Sequence, residues 1–157
     1  MIQVGEKLPQ ATFALMTDEA NTNPTTEELF AGKKVVLFAV PGAFTPTCSE
    51  AHLPGFIVKA DEIKAKGVDA IICVSVNDAF VMKSWGKTQN AENVVMLADG
   101  GASFTKAIGL EMDTADFGGI RSQRYAMIVD DGVVTTLNVE KPGEFEASSA
   151  DAILAAL

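Results

Sequence analysis

Val35-Val36-Leu37-Phe38-Ala39-Val40-Pro41-Gly42-Ala43-Phe44-Thr45-Pro46-Thr47-Cys48 is the stretch that decides the fold. Lys33 to Val40 reads as a Val-rich, continuously apolar strand, the pattern of a strand covered on both faces. Pro41-Gly42 ends it. From Pro46 onward the apolar residues Leu53, Phe56, Ile57, Ala60 and Ile63 recur at spacings of three and four, which predicts a helix over 46–66 with that stripe buried. The stretch is therefore a strand-to-helix turn, and Cys48 sits where the helix begins. The first turn of a helix has N–H groups without intrahelical partners and carries partial positive charge. Both favour a thiolate over a thiol, and the thiolate is the nucleophilic form.

Neighbouring residues sharpen this. Pro41 and Pro46 fix φ and stiffen the turn, and Pro46 suits the first helical turn, where a missing donor costs little. Thr45 lies three residues before Cys48, across one turn. Its hydroxyl can donate to one atom while accepting from another, which suits a substrate with two adjacent oxygens. The competing reading is that Thr45 or Thr47 simply caps the helix. His52, the sole histidine, follows Cys48 by four residues. It either tunes the thiol or packs on the helix. A cysteine hydrolase would need it as the base, but such enzymes draw the base from a distant part of the chain.

Outward from this turn the elements alternate. Gly5 to Asn23 predicts a short edge strand or hairpin. Thr25-x-x-Glu28 reads as a capping box opening a short helix that Gly32 stops. Pro54 should kink the long helix, and Gly67 ends it. Val68 to Val76 is a second buried strand carrying Cys73. Strand, crossover helix and strand form a βαβ unit, expected to be right-handed. Asn77 or Asp78 caps a helix with Phe80, Val81 and Trp85. Val94 to Leu97 is a third strand, and Ala102 to Ile108 a brief helix. Arg121 to Asp130 and Gly132 to Val139 form a hairpin around Asp131-Gly132, and Ser148-x-x-Asp151 opens a last helix. The expected fold class is α/β, with residues 1–157 as one domain.

Composition narrows the function classes. With 12 Lys and Arg against 21 Asp and Glu, the net charge of −9 disfavours nucleic acid and anionic membranes as partners. No apolar run approaches the ~18 residues of a spanning helix, and Met1 to Lys7 lacks the pattern of a signal peptide. Two cysteines are no disulfide scaffold and suggest a reduced, cytoplasmic setting. There is no C-x-x-C, so thioredoxin-type dithiol exchange is not encoded; no cluster has metal-ligand spacing, and neither metal nor cofactor is expected. A thiolate attacking one of two adjacent oxygens also needs a fixed cation for the charge that develops on the other. Arg121 and Arg124 are the candidates, since Arg stays charged and offers a planar fork of donors.

Thr45-Pro46-Thr47-Cys48 with Ala51-His52-Leu53-Pro54-Gly55-Phe56 resembles the active-site motif of the type II, or peroxiredoxin 5-like, peroxiredoxins. The resemblance continues through Val74-Ser75-Val76-Asn77-Asp78-Ala79-Phe80-Val81 and Arg124-Tyr125-Ala126-Met127-Ile128-Val129, covering nearly the whole chain. It implies a thioredoxin-like fold, a central mixed sheet flanked by helices with an N-terminal extension. It implies a thiol-dependent peroxidase acting on hydrogen peroxide and small organic hydroperoxides, with Cys48, Thr45, Arg124 and Pro41 as the catalytic set and Pro41 shielding the sulfur. Arg124 matches the family position, while Arg121 is expected on a loop.

Some relatives carry a resolving cysteine near the C-terminus, but Asn138 to Leu157 contains none, and Ala147 or Ser148 falls in its place. In plant-like members a cysteine on the strand of Cys73 has been regarded as resolving. Within an apolar strand a cysteine more often only packs. The expected cycle therefore uses an external thiol, glutathione with glutaredoxin or else thioredoxin. A homodimer through loops bearing Phe44 or Phe80 is implied by the resemblance alone. Two other readings stand beside the peroxidase: a redox sensor or relay using Cys48, and a non-catalytic binding or chaperone scaffold.

Overall fold

The computed structural model describes all 157 residues, Met1–Leu157. Its centre is β3 (Lys34–Ala39), the third of five strands in the order β5-β4-β3-β8-β9. The other strands are β4 (Ala70–Ser75), β5 (Val95–Ala98), β8 (Tyr125–Asp130) and β9 (Val133–Val139). Strands β3, β4 and β5 run parallel; β8 and β9 are antiparallel to their neighbours. Alternate residues of β3, with Val40 just after it, feed two cores. Val36, Phe38 and Val40 pack with Leu53, Phe56, Met82, Trp85 and Ile153 on one face. Val35, Leu37 and Ala39 pack with Phe13, Phe30, Phe104 and Met127 on the other. A strand without a polar side is thus accounted for by apolar partners above and below it.

The helices are α1 (Thr26–Phe30), α2 (Leu53–Ala65), α3 (Ala79–Thr88), α4 (Ser103–Ala107) and α5 (Ala150–Ala156). The capping box at Thr25 and Glu28 is formed in both directions, and Asp78 caps α3 by accepting from the N–H of Val81. Within Gly5 to Asn23 the expected hairpin is β1 (Leu15–Met16) with β2 (Asn21–Thr22). No helix is long and apolar enough to cross a membrane. The whole arrangement is the expected mixed α/β, thioredoxin-like layering.

Three local expectations are corrected. Arg121 to Asp130 is not one strand. It is β7 (Ile120–Ser122), paired with β6 (Glu111–Asp113), then a break at Gln123-Arg124 before β8. The β6–β7 ribbon escaped the sequence because three-residue strands carry no periodicity. The cap of α5 is Ser149, whose hydroxyl accepts from the N–H of Ala152 at 3.2 Å; Ser148 is engaged elsewhere. Finally, Pro54 does not simply kink its helix. A π-helical turn, Cys48–His52, precedes it, closed by Leu53 N–H donating to Cys48 O. Proline has no N–H and its ring crowds the carbonyl four residues back. The wider turn removes both problems in a single step.

The Asp131-Gly132 turn is of type I′, with φ of 48° and 79°. A Cβ on Gly132 would meet only Lys7 Cε, at 3.9 Å, so its constraint is conformational and not steric crowding. Gly132→Ala is expected to lower the unfolding free energy by about 1–2 kcal/mol, the cost of a side chain in left-handed backbone. A urea midpoint shifted down at unchanged slope would show it, and an unshifted midpoint would contradict it.

Candidate active site

Three chain segments converge at the end of β3. The first is the turn itself. Ala43 N–H donates to Asn77 Oδ1 at 3.0 Å, tying the turn to the end of β4. Thr47 makes no side-chain cap bond. Thr45 Oγ1 donates its proton to Gly42 O at 2.6 Å, so neither threonine acts as a side-chain cap, and Thr45 keeps its lone pairs as acceptors. Cys48 and His52 open and close the π turn, and both are wholly buried. Trp85 Nε1–H donates to Ser49 Oγ at 3.0 Å, bracing the turn against α3.

The second segment brings Arg124. It precedes Tyr125, which pairs with Ala39 at the end of β3. The register of the central strand thereby sets the guanidinium beside the turn. Arg124 Nη2 donates to Cys48 Sγ at 3.1 Å, and Nη1 lies 2.9 Å from His52 Nδ1. The third segment follows β9. Its Ser148 carbonyl lies 2.9 Å from His52 Nε2. A carbonyl only accepts, so Nε2 carries the proton, and Nδ1 is left to accept from Arg124. Phe145, from the same segment, lies with its ring 5.0 Å from the imidazole and 5.9 Å from Arg124 Cζ. Burial first, and the Arg124 charge second, depress the His52 pKa to about 3, against smaller opposing effects of Ser148 O and Glu140. The imidazole is therefore a neutral hydrogen-bond hinge.

Pro41, Thr47 and Arg124 line a cleft of about 430 Å³ with Gln123, Glu140 and Lys141. Cys48 adjoins it, following Thr47 in the chain and bonded to Arg124. Of the residues singled out from sequence, Arg124 is bonded to the Cys48 sulfur, Pro41 lines the cleft that Arg124 also lines, and Thr45 stands in the turn just before Cys48 with its hydroxyl on Gly42 O. Arg121 does not join them. It lies on β7 and not on a loop, and its donors are spent on Val76 O and Gly118 O, both at 2.9 Å. It braces the β6–β7 ribbon to the end of β4. Cys73 sits in mid-strand, paired with Phe38 and Met96. Burial above all, then the nearby Cys48, push its thiol well above the ordinary range. It is a packed thiol, while Cys48 has a cation against it.

Sequence reading missed Glu140 and Ser148. The Glu140 carboxylate accepts from the N–H groups of Glu146, Ala147 and Ser148, at 2.7, 3.2 and 2.8 Å, and from Ser148 Oγ at 2.7 Å. Burial works to raise its pKa, but these donors together hold it below the usual carboxylate value. The one available signal was the Ser148-Ser149 doublet, in which only one serine is needed as a cap. No group of three His, Cys, Asp or Glu side chains is placed to hold a metal ion.

Comparison with known proteins gives concordant results. The family described as Redoxin matches residues 3–154. Peroxiredoxin-2B of Arabidopsis thaliana is 54% identical, over 99% of this chain and 98% of its own. Peroxiredoxin-2E-2, chloroplastic, of Oryza sativa is 55% identical, over 99% of this chain and 72% of its own. The crystal structure of reduced Prx3 from Vibrio vulnificus in complex with H2O2 superposes with a TM-score of 0.97 at 71% identity, covering 99% of each chain.

The neutral His52 predicts an acid dependence of stability. An unfolded histidine protonates near pH 6.5, whereas folded His52 does so only at about 3. Between these values the unfolded chain binds the extra proton. Stability therefore falls as pH falls from about 6.5 toward 3, by up to about 1.4 kcal/mol per unit from this group. Urea unfolding at pH 6 and pH 5 should show this proton's share of the slope missing in His52→Gln. Equal slopes in the two proteins would refute it.

Proposed function

The chain belongs to the redoxin family as a type II peroxiredoxin, a thiol-dependent peroxidase, and from that premise we propose that Cys48 is its nucleophile and Arg124 the cation that serves it. The observation that carries this is the charged donor 3.1 Å from a sulfur at the start of a helix, on a side chain that also lines a cleft. Hydrogen peroxide in complex with the Vibrio vulnificus Prx3 supports the same substrate here, with small organic hydroperoxides beside it. The Cys48 thiolate attacks one peroxide oxygen in line with the O–O bond. An S–O bond forms, O–O breaks, and hydroxide or alkoxide leaves with the electron pair and takes up a proton. Arg124 stabilises the leaving charge, Thr45 accepts from the peroxide O–H, and Pro41 walls the cleft against water.

The product is a Cys48 sulfenic acid. A thiol displaces water from it to give a mixed disulfide, and a second thiol releases the Cys48 thiolate with a disulfide as by-product. We assign the reductant as glutathione with glutaredoxin, or thioredoxin. Cys73 is packed and unactivated, which favours an external thiol over a Cys48–Cys73 bond. A homodimer is proposed through the face bearing Phe44 and Phe80, which are 52% and 71% exposed. The setting is proposed as cytoplasmic.

The test is peroxide consumption by the pre-reduced protein, with intact mass taken after one equivalent. Fast consumption lost in Cys48→Ser, with one oxygen added to the wild type, supports the cycle. Loss of two hydrogens instead would put Cys73 in the cycle, and oxidation without thiol turnover would favour a relay. Arg124→Ala should slow oxidation about 100- to 1,000-fold, the cost of removing one donor to developing charge. Arg121→Ala should leave the oxidation rate within a few-fold and appear as lost stability. Equal rate losses in the two variants would sink the assignment.

A further inference from the structure

Arg124 can serve the sulfur only if its long side chain is held still. Both of its terminal nitrogens are committed, Nη2 to Cys48 Sγ and Nη1 to His52 Nδ1. His52 is in turn steered by one acceptor, Ser148 O. That carbonyl belongs to the segment between β9 and α5, in which Lys141, Pro142, Gly143 and Glu144 are all exposed. Such a segment moves unless something fixes it. Glu140 fixes it. Its carboxylate gathers three consecutive N–H groups and the Ser148 hydroxyl, while its own N–H donates to Arg124 O at 2.9 Å.

The bonds close a ring that begins and ends on one residue. From Arg124 O it passes to Glu140 N–H. From the Glu140 carboxylate it passes to Ser148 N–H, and from Ser148 O to His52 Nε2–H. From His52 Nδ1 it returns to Arg124 Nη1. We propose that Glu140 is a positioning residue for the peroxidase reaction, acting through Ser148 O and His52 to hold the Arg124 guanidinium against Cys48. The inference rests on the roles given to Cys48 and Arg124 above. Glu140 shares the wall of the cleft, but its carboxylate is taken up by the loop and makes no bond to the sulfur, so its effect reaches the chemistry through Arg124.

That last point separates positioning from simple support of the loop. Single-turnover oxidation of Cys48 by hydrogen peroxide is measured in wild type, Glu140→Gln, Arg124→Ala and the double variant. Glu140→Gln should slow oxidation about tenfold or more, since displacement of a catalytic group by about 1 Å can cost ~100-fold. In the Arg124→Ala background the same substitution should change the rate by less than about twofold, because the group it positions is gone. Ser148→Ala, which removes only the hydroxyl bond, should show a smaller loss with the same dependence on Arg124. It carries the test if Glu140→Gln does not fold.

The sole histidine gives a second readout. In ¹⁵N spectra His52 should be protonated at Nε2 in the wild type, and Glu140→Gln should add the other tautomer. Equal slowing in both backgrounds, no slowing in either, or an unchanged imidazole spectrum would each overturn the proposal. If Arg124→Ala alone left the rate unaltered, the Cys48–Arg124 reading would fall, and this proposal with it. Slowing by Arg124→Ala but not by Glu140→Gln or Ser148→Ala would overturn the positioning role alone.

Discussion

A guanidinium against a buried sulfur is the constraint on which this molecule turns. Placing a permanent cation at the edge of a core is costly unless its donors are met. Here they are met by the sulfur and by a histidine kept neutral by burial. A protonated imidazole could not accept from Arg124 and would repel it. The low basicity of His52 is therefore a requirement of the arrangement as well as a consequence of it. The central strand, the π turn and the segment after β9 each deliver one partner, so the site exists only when the whole sheet is assembled.

The π turn shows how backbone and site depend on each other. Pro54 lies early in a helix that must carry Leu53, Phe56, Ala60 and Ile63 into the core. An ordinary helix would have to bend there. Widening the turn at Cys48–His52 keeps α2 regular and sets both the sulfur and the imidazole toward Arg124. Phe38, stacked on Phe56 at 4.1 Å and tilted against His52 at 4.9 Å, fills the space beneath. The proline that disturbs helical geometry thus lies next to the residues that use the disturbance.

Much of this was legible in the sequence, for physical reasons that also mark where reading fails. The doubly apolar run before Pro41, the helical stripe from Leu53, the capping box at Thr25 and the Asp131-Gly132 turn are local signals, and the structure bears each out. Cys48, Thr45 and Pro41 lie within eight residues and read as one unit, and Arg124 was found by resemblance to a family motif. The β6–β7 ribbon was too short to announce itself, and Arg121 looked like a loop residue because its strand is only three residues long. Glu140 and Ser148 were missed because their meaning is purely tertiary. Nothing in Glu140 or in a serine doublet states that their backbone bonds lead to an imidazole 96 residues away from Ser148. His52 was noticed, but its tautomer became readable only once both ring partners were known.

The bond from Trp85 Nε1 to Ser49 Oγ has a use of its own. Trp85 is the only tryptophan in the chain and is wholly buried. Its indole is fastened to the residue next to Cys48, so any loosening of that turn must break the bond and alter the polarity around the ring. The molecule therefore carries its own optical gauge: the emission colour of one fluorophore follows the turn that holds the sulfur, with no label attached.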